Sequence, residues 1–331
     1  MPLTNATSFP AMAYSQADPT GRDRVAVIVK ATYAIGAGGR LTPAEEPASL
    51  RVADELTRPD SERSSAKYPS DMCLEKVGTD VVVVGDAVSP RPVTVMDVAV
   101  QVRKATVTLR VHGDRLFYKG PTGVAVGPAA PFERKAIVYE RAFGGASDDY
   151  QVLETRNLAG VGIAKRPGDL VDTPAPQIEH PSLPHQTASD RHPPVGLGSI
   201  LSFWSPRREH IGTLDAAWEA DRMPLAPKDF DLRYNNVAHP SLIFEAPLAG
   251  GDALGVVGMS LEPLAFELPA VPVVVRARWD VSGRRTVEPR IDTVLIEPNA
   301  RRVEVVFRTS FLVGRGRDVL RELSVDLSDD A

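Results

Sequence analysis

Val25-Ala26-Val27-Ile28-Val29-Lys30-Ala31-Thr32-Tyr33 is a β-branched run bounded by Gly21 and Gly36. Valine, isoleucine, threonine and tyrosine fit a pleated, packed surface, and a glycine beyond each end permits a turn. The run predicts a strand, and the same signature spreads outward from it. Residues 80–84 are followed by the turn signal Gly85-Asp86. After Val93-Thr94-Val95 the valines at 98, 100 and 102 alternate with a one-residue slip near Asp97, which a β-bulge explains. Val107, Leu109 and Val111 share a face, and His112-Gly113-Asp114 reads as a hairpin turn into Arg115-Leu116-Phe117-Tyr118. Further on, residues 241–246, 264–268 and 291–296 read as strands. In 271–279, Val273, Val275, Ala277 and Trp279 alternate with Arg276 and Arg278, and in 303–308 Val303, Val305 and Phe307 point inward with Glu304 and Arg308 outward. That pattern implies sheets with one wet face, packed as a sandwich.

A chain of 331 residues is long enough for one large domain or two. Its 29 prolines and 25 glycines follow no fixed period; they punctuate short elements, at the roughly 8–12-residue spacing of β-rich folds. The expected fold is mainly β: antiparallel, sandwich-like sheets with few short helices and long Pro-rich loops. Residues 213–223 predict a helix capped by Thr213, with Leu214, Ala217 and Trp218 on one face and Pro224 as its stop. Residues 317–323 predict a second, short one. Pro167, Pro174, Pro176, Pro181, Pro184, Pro193 and Pro194 crowd a segment with little apolar periodicity. The organisation expected is a β-rich half over 1–165, an irregular segment over 166–200 and a β-rich half over 201–331, the halves being separate or continuous.

The 38 basic and 43 acidic residues leave a net charge of -5, which argues against a nucleic-acid or anionic-membrane surface. No apolar run approaches the roughly 18 residues of a membrane span. The opening Met1-Pro2-Leu3-Thr4-Asn5-Ala6-Thr7 lacks the basic region and apolar core of a signal peptide. The single cysteine, Cys73, allows no intrachain disulfide and no multi-cysteine metal site, and fits a reducing cytoplasm. It reads as a small, partly buried hydrophobe.

Phosphate-loop, dinucleotide, nucleophile-elbow and H-E-x-x-H patterns are absent. His180, His185 and His192 fall in the Pro-rich segment at irregular spacing, so no metal or cofactor is expected. Asp229-Phe230-Asp231 places two carboxylates on one side of an extended chain. With Arg233 at the next alternate position, carboxylate–arginine pairing is the simpler reading, and Arg207-Arg208 can join it or bind an anion. Trp204, beside Pro206 and these arginines, is either core or a partner hot spot. Trp204, Arg207, Arg208, Asp229, Asp231 and Arg233 are therefore the candidate partner-binding residues. Tyr139-Glu140-Arg141-Ala142-Phe143-Gly144-Gly145 begins as a strand and ends in a tight turn. Tyr139, Arg141, Phe143, Gly144 and Gly145 form a structural motif, Arg141 lying under the turn and bonding loop carbonyls.

Taken in order, several segments resemble one family. They include Val29-Lys30-Ala31-Thr32-Tyr33, Val111-His112-Gly113-Asp114-Arg115, the 139–145 motif, Trp204-Ser205-Pro206-Arg207, Gly212-Thr213-Leu214-Asp215, Pro227-Lys228-Asp229-Phe230-Asp231 and Tyr234-Asn235-Asn236-Val237-Ala238. The resemblance is to the bacterial domain-of-unknown-function family 2169, encoded beside type VI secretion genes, and it covers nearly the whole chain. It departs where Asn157-Leu158 precedes Gly160 and Gly162, in place of an Asn-Pro followed by glycines. The resemblance implies a cytoplasmic, non-enzymatic adaptor or chaperone that binds a secretion effector or PAAR-like tip protein and hands it to the spike. Exposed sheet edges and the Pro-rich segment, the latter ordered on binding, are then the means of capturing an unfolded or apolar segment by strand addition. Two other readings stay open: a carbohydrate-active or metal-dependent enzyme using Asp229 and Asp231 or the histidines, and a structural part of the secreted particle.

Overall fold

The β-branched run forms the strand Asp23–Ile35, which lies inside a seven-stranded sheet. The computed structural model describes residues 2–328; residue 1 and residues 329–331, the outer ends of the two expected halves, lie outside them. The sheet runs Ile243–Phe244, Thr79–Val83, Arg290–Glu297, Arg302–Leu312, Asp23–Ile35 and Ala11–Ala17, with Leu41–Pro43 also pairing Asp23–Ile35. Most pairs are antiparallel, but Thr79–Val83 and Arg290–Glu297 run parallel, so strands from both expected halves meet in one sheet. A second sheet orders Ile178–Glu179, Ala105–His112, Val95–Val102, Ala253–Val257 and Leu264–Glu267. A third orders Leu3–Asn5, Asp318–Leu327, Val273–Trp279 and Gly283–Val287, its first pair parallel.

All three sheets press into one apolar core. Val25, Val27 and Val29 enter from the first, Val98, Val100 and Leu254 from the second, and Val275, Ala277 and Trp279 from the third. Each fully buried valine or leucine contributes about 1.5–3 kcal/mol. The fold is mainly β, with two short α-helices among the described residues, Ser205–Arg208 and Ala216–Asp221. None is long and apolar enough to cross a membrane.

Several local expectations are corrected. The helix predicted over 213–223 starts later, because the Asp215 carboxylate caps it by accepting from the Trp218 amide at 2.8 Å. Of residues 317–323, expected as a short helix, 318–323 belong to the strand Asp318–Leu327. A register irregularity opposite Arg278 and Trp279 sets its buried Leu320 and Leu323 three apart, which imitates a helical period. No bulge falls at Asp97: Val95–Val102 pairs without a break with Ala105–His112, and the slip is a corner at Thr94 between two strands. The turn at 112–114 does not close a hairpin, since Phe117–Gly120 pairs with Gly123–Val126. The strand expected over 241–246 shrinks to Ile243–Phe244.

The Pro-rich segment 166–200 is packed rather than loose. Its prolines remove donors and hold the chain extended, yet the chain is stitched down at intervals. Gln177 donates to Arg141 O and accepts from the His112 amide. Leu197 O accepts from Val83, and Ile200 donates to Val237 O. Ile178 and Leu197 are buried in the main core.

The wet face expected of the large sheet is also absent at its centre. Glu304 and Arg308 do point away from the apolar core, but they are 1% and 5% exposed because the segment 44–76 crosses that face. Lys30, 0% exposed, reaches Asp71 at 2.6 Å, Glu304 at 3.4 Å and the Ser49 carbonyl at 3.2 Å. Arg51 clamps Glu304 through two bonds of 2.6 and 2.9 Å. Arg308 pairs with Asp292 and donates to the Asp71 and Cys73 carbonyls. Lys76 meets Asp80 at 2.9 Å, and Asp80 in turn accepts from Asn236 and the Val237 amide. Removing one member leaves its partners charged and dry. Lys30→Met is expected to lower the unfolding free energy by about 3–5 kcal/mol, read from urea denaturation; a loss below about 1 kcal/mol contradicts this account of the second face.

Candidate functional site

The 139–145 motif does not begin as a strand. Residues Tyr139–Arg141 make a single 3-10 turn and Phe143–Gly144 pairs in parallel with Val161–Gly162. Asn157 explains the geometry. Fully buried, its amide donates at 2.9 Å to both the Tyr139 and Phe143 carbonyls, while its side-chain oxygen accepts from Ala159. Gly144 and Gly145 have φ of 151° and 97°, and a Cβ on Gly144 would stand 2.3 Å from the Asn157 carbonyl. The departure noted at Asn157-Leu158 therefore sits at the contact that shapes the turn. Arg141 does not bond loop carbonyls through its side chain; it donates to Gln177 Oε1 at 2.6 Å and Asp114 at 3.3 Å.

The two glycine stretches, 144–145 and 160–162, form the wall of an open trough of about 600 Å³. It continues past Arg63, Asp148 and Gly160 into a second, shallower hollow of about 660 Å³. Arg63 sits at the junction. It donates to the Ala146 and Ser147 carbonyls at 3.0 and 3.3 Å, and its guanidinium covers the Tyr150 ring at 4.8 Å. Tyr150 is about half exposed. Lys165 pairs with Asp149 inside the trough, and Asp169 pairs at 2.9 Å with Arg166, which lies outside its lining.

Behind Phe143 lies a buried ionic cluster. Glu179, 1% exposed, accepts from Arg115 at 2.7 Å and from the His185 amide at 2.9 Å, and meets His112 Nε2 at 2.7 Å. Burial raises the Glu179 pKa, but the His112 and His185 side chains and the Arg115 charge more than reverse this and hold it well below the carboxylate range. The His185 ring stacks on Phe143 at 5.0 Å and meets the edge of His192 at 5.0 Å. His180 is not part of the ring contacts; its Nδ1 accepts from the Ser182 amide at 3.1 Å. Among the described residues no three His, Cys, Asp or Glu side chains gather as a metal-holding group. Cys73 is half-buried, and burial pushes its thiol pKa up.

The other candidate residues disperse. Trp204 is 1% exposed, packed edge-on against Tyr139 at 5.3 Å, so its ring lies in a small core and not on a contact surface. Arg207 donates to the Ile200 and Tyr234 carbonyls, both at 2.9 Å, and not to the aspartates. Arg208 is exposed. Asp229 accepts from the Thr213 amide and hydroxyl, the latter at 2.7 Å, and these bonds lower its pKa. Asp231 pairs with Arg233 and caps the turn Leu232–Asn235. The two carboxylates thus serve different partners. Sequence reading missed Asn157 as a clamp and Arg63, Tyr150 and Glu179 altogether; the closeness of His112 to Arg115 was the one signal for the buried cluster.

The model of a family of uncharacterized proteins conserved in bacteria (DUF2169) matches residues 20–308. No curated protein and no solved structure matches the chain. Two outcomes follow from the geometry. Because its pKa is lowered in the fold, Glu179 stabilises above the ordinary value of 4.5, and that contribution fades as pH falls below it. Glu179→Gln should flatten this part of the stability profile and cost about 3–5 kcal/mol at neutral pH by leaving Arg115 buried without its counter-charge. Asn157→Ala should cost about 2–4 kcal/mol in chemical denaturation, since the buried Phe143 and Tyr139 carbonyls each lose a donor, the latter keeping only the Ala142 amide.

Proposed function

We propose that this chain, which belongs to the DUF2169 family of uncharacterized bacterial proteins, is a non-enzymatic adaptor or chaperone of type VI secretion. In this reading it binds an effector or PAAR-like tip protein in the cytoplasm and promotes its loading on the spike. The partner class comes from the neighbourhood that the sequence resemblance implies. The observation that carries the binding role is the glycine-walled trough with the Arg63–Tyr150 stack on its rim. An open trough suits an extended chain better than a small molecule, which calls for a deeper, apolar pocket. Lys165 and Asp149 neutralise each other within it, so recognition would rest mainly on shape, backbone hydrogen bonds and the aromatic–arginine pair, the side chains that dominate protein hot spots. Asp229 and Asp231 bind separate partners, which favours this reading over a two-carboxylate enzyme.

Co-expression with the products of the adjacent secretion genes is expected to yield a stable complex. Tyr150→Ala should weaken it by about 2 kcal/mol, roughly thirty-fold in Kd, with the melting temperature unchanged. Absence of any complex with those products would sink the adaptor reading. Recovery of the chain in the secreted fraction would favour a structural part of the particle.

A further inference from the structure

The strand Ala11–Ala17 is the outer edge of the large sheet, and its backbone hydrogen-bonds only to Asp23–Ile35 among the described residues. An edge strand leaves every second N–H and C=O unpaired, and proteins usually blunt such edges with charge, proline, bulges or brevity. The other sheet edges here follow that rule. Ile243–Phe244 and Ile178–Glu179 have two residues each, Leu3–Asn5 has three, Leu264–Glu267 ends in a glutamate, and Gly283–Val287 carries the exposed Arg284 and Arg285. Ala11–Ala17 has seven residues, no charge, no proline and an unbroken register.

Its side chains read Ala-Met-Ala-Tyr-Ser-Gln-Ala. Small and large residues alternate, and the order of sizes is the same in both directions about Tyr14. The large members, Met12, Tyr14 and Gln16, share one face, and Ala11 and Ala13 pack toward the main core. We infer that this edge pairs with the same edge of a second copy of the chain, antiparallel, with Tyr14 opposite Tyr14 on the two-fold axis. Such pairing sets Met12 against Gln16, Ala13 against Ser15 and Ala11 against Ala17, with no charged pair and no size clash in any position. A strand from an unrelated partner gains nothing from the palindromic order of sizes, whereas a two-fold interface requires self-complementarity. Two seven-stranded sheets then become one continuous sheet.

The test uses the full chain with Cys73→Ser, so that an introduced cysteine is the only thiol. Directly opposed residues of an antiparallel pair lie about 4.5–5.5 Å apart at Cα, within disulfide reach. Tyr14→Cys is expected to cross-link under mild oxidation to a species of twice 35.7 kDa, and Gln16→Cys to remain uncross-linked. Sedimentation of the unmodified chain should show the dimer, and Tyr14→Lys should dissociate it at least ten-fold more readily with an unchanged circular dichroism spectrum. Mixing Tyr14→Lys with Tyr14→Glu should restore association. A chain that sediments as a monomer throughout, equal cross-linking at positions 14 and 16, or a Tyr14→Lys protein as dimeric as the parent would each overturn the assignment. None of these readouts involves a client, so the adaptor reading stands or falls separately.

Discussion

Lys30 sits at the middle of the longest strand, with no solvent contact, and the fold is arranged to make that tolerable. A dry ammonium is costly unless it is paired and hydrogen-bonded. Asp71, Glu304 and the Ser49 carbonyl meet that need, and they come from segments far apart in sequence. The crossing segment 44–76 is thereby tied to the sheet through charge, not apolar area. Arg51, Arg308 and Lys76 repeat the device along the same face. The large sheet ends with two unlike coverings, one apolar and shared with two other sheets, the other ionic. Buried ion networks do not outperform well-packed hydrophobes in stability. This one joins the sheet to a strap whose only regular elements are the short strands Glu55–Leu56 and Ala66–Tyr68.

The ionic covering was not legible in the sequence, but the apolar side of the sheets was. Alternation at 273–279 and 303–308 fixed which side chains face the core, because a pleated strand leaves no other option. What alternation does not reveal is whether the opposite face meets water, since Glu304 and Arg308 look the same in either case. The irregular segment 166–200 misled for a related reason. Prolines erase periodicity, but burial of Ile178 and Leu197 needs only single residues at single contacts. Leu320 and Leu323 imitated a helix because a register break changed the spacing of a strand.

The candidate site was half readable. Paired glycines announced a tight turn, and the turn is there, but its cause is Asn157, whose amide satisfies two carbonyls at once. A lone asparagine has no pattern to betray it. The trough beside it is assembled from backbone and from side chains that already have partners, so no motif search aimed at reactive groups would mark it. Trp204 shows the converse. A tryptophan flanked by arginines suggests a contact surface, yet its ring completes a small core with Tyr139.

The pairing of Leu3–Asn5 with Asp318–Leu327, and of Thr79–Val83 with Arg290–Glu297, has a temporal side. Both join the first third of the chain to its last tenth or so. On a ribosome, the early strands emerge and wait for partners that have not yet been made. Long-range closure of this kind is slow, and until it occurs the uncharged segment Ala11–Ala17 and the valine run after it stand bare. The newborn polypeptide therefore exposes its barest sheet edge while it is still being made, before the strands that complete its sheets exist.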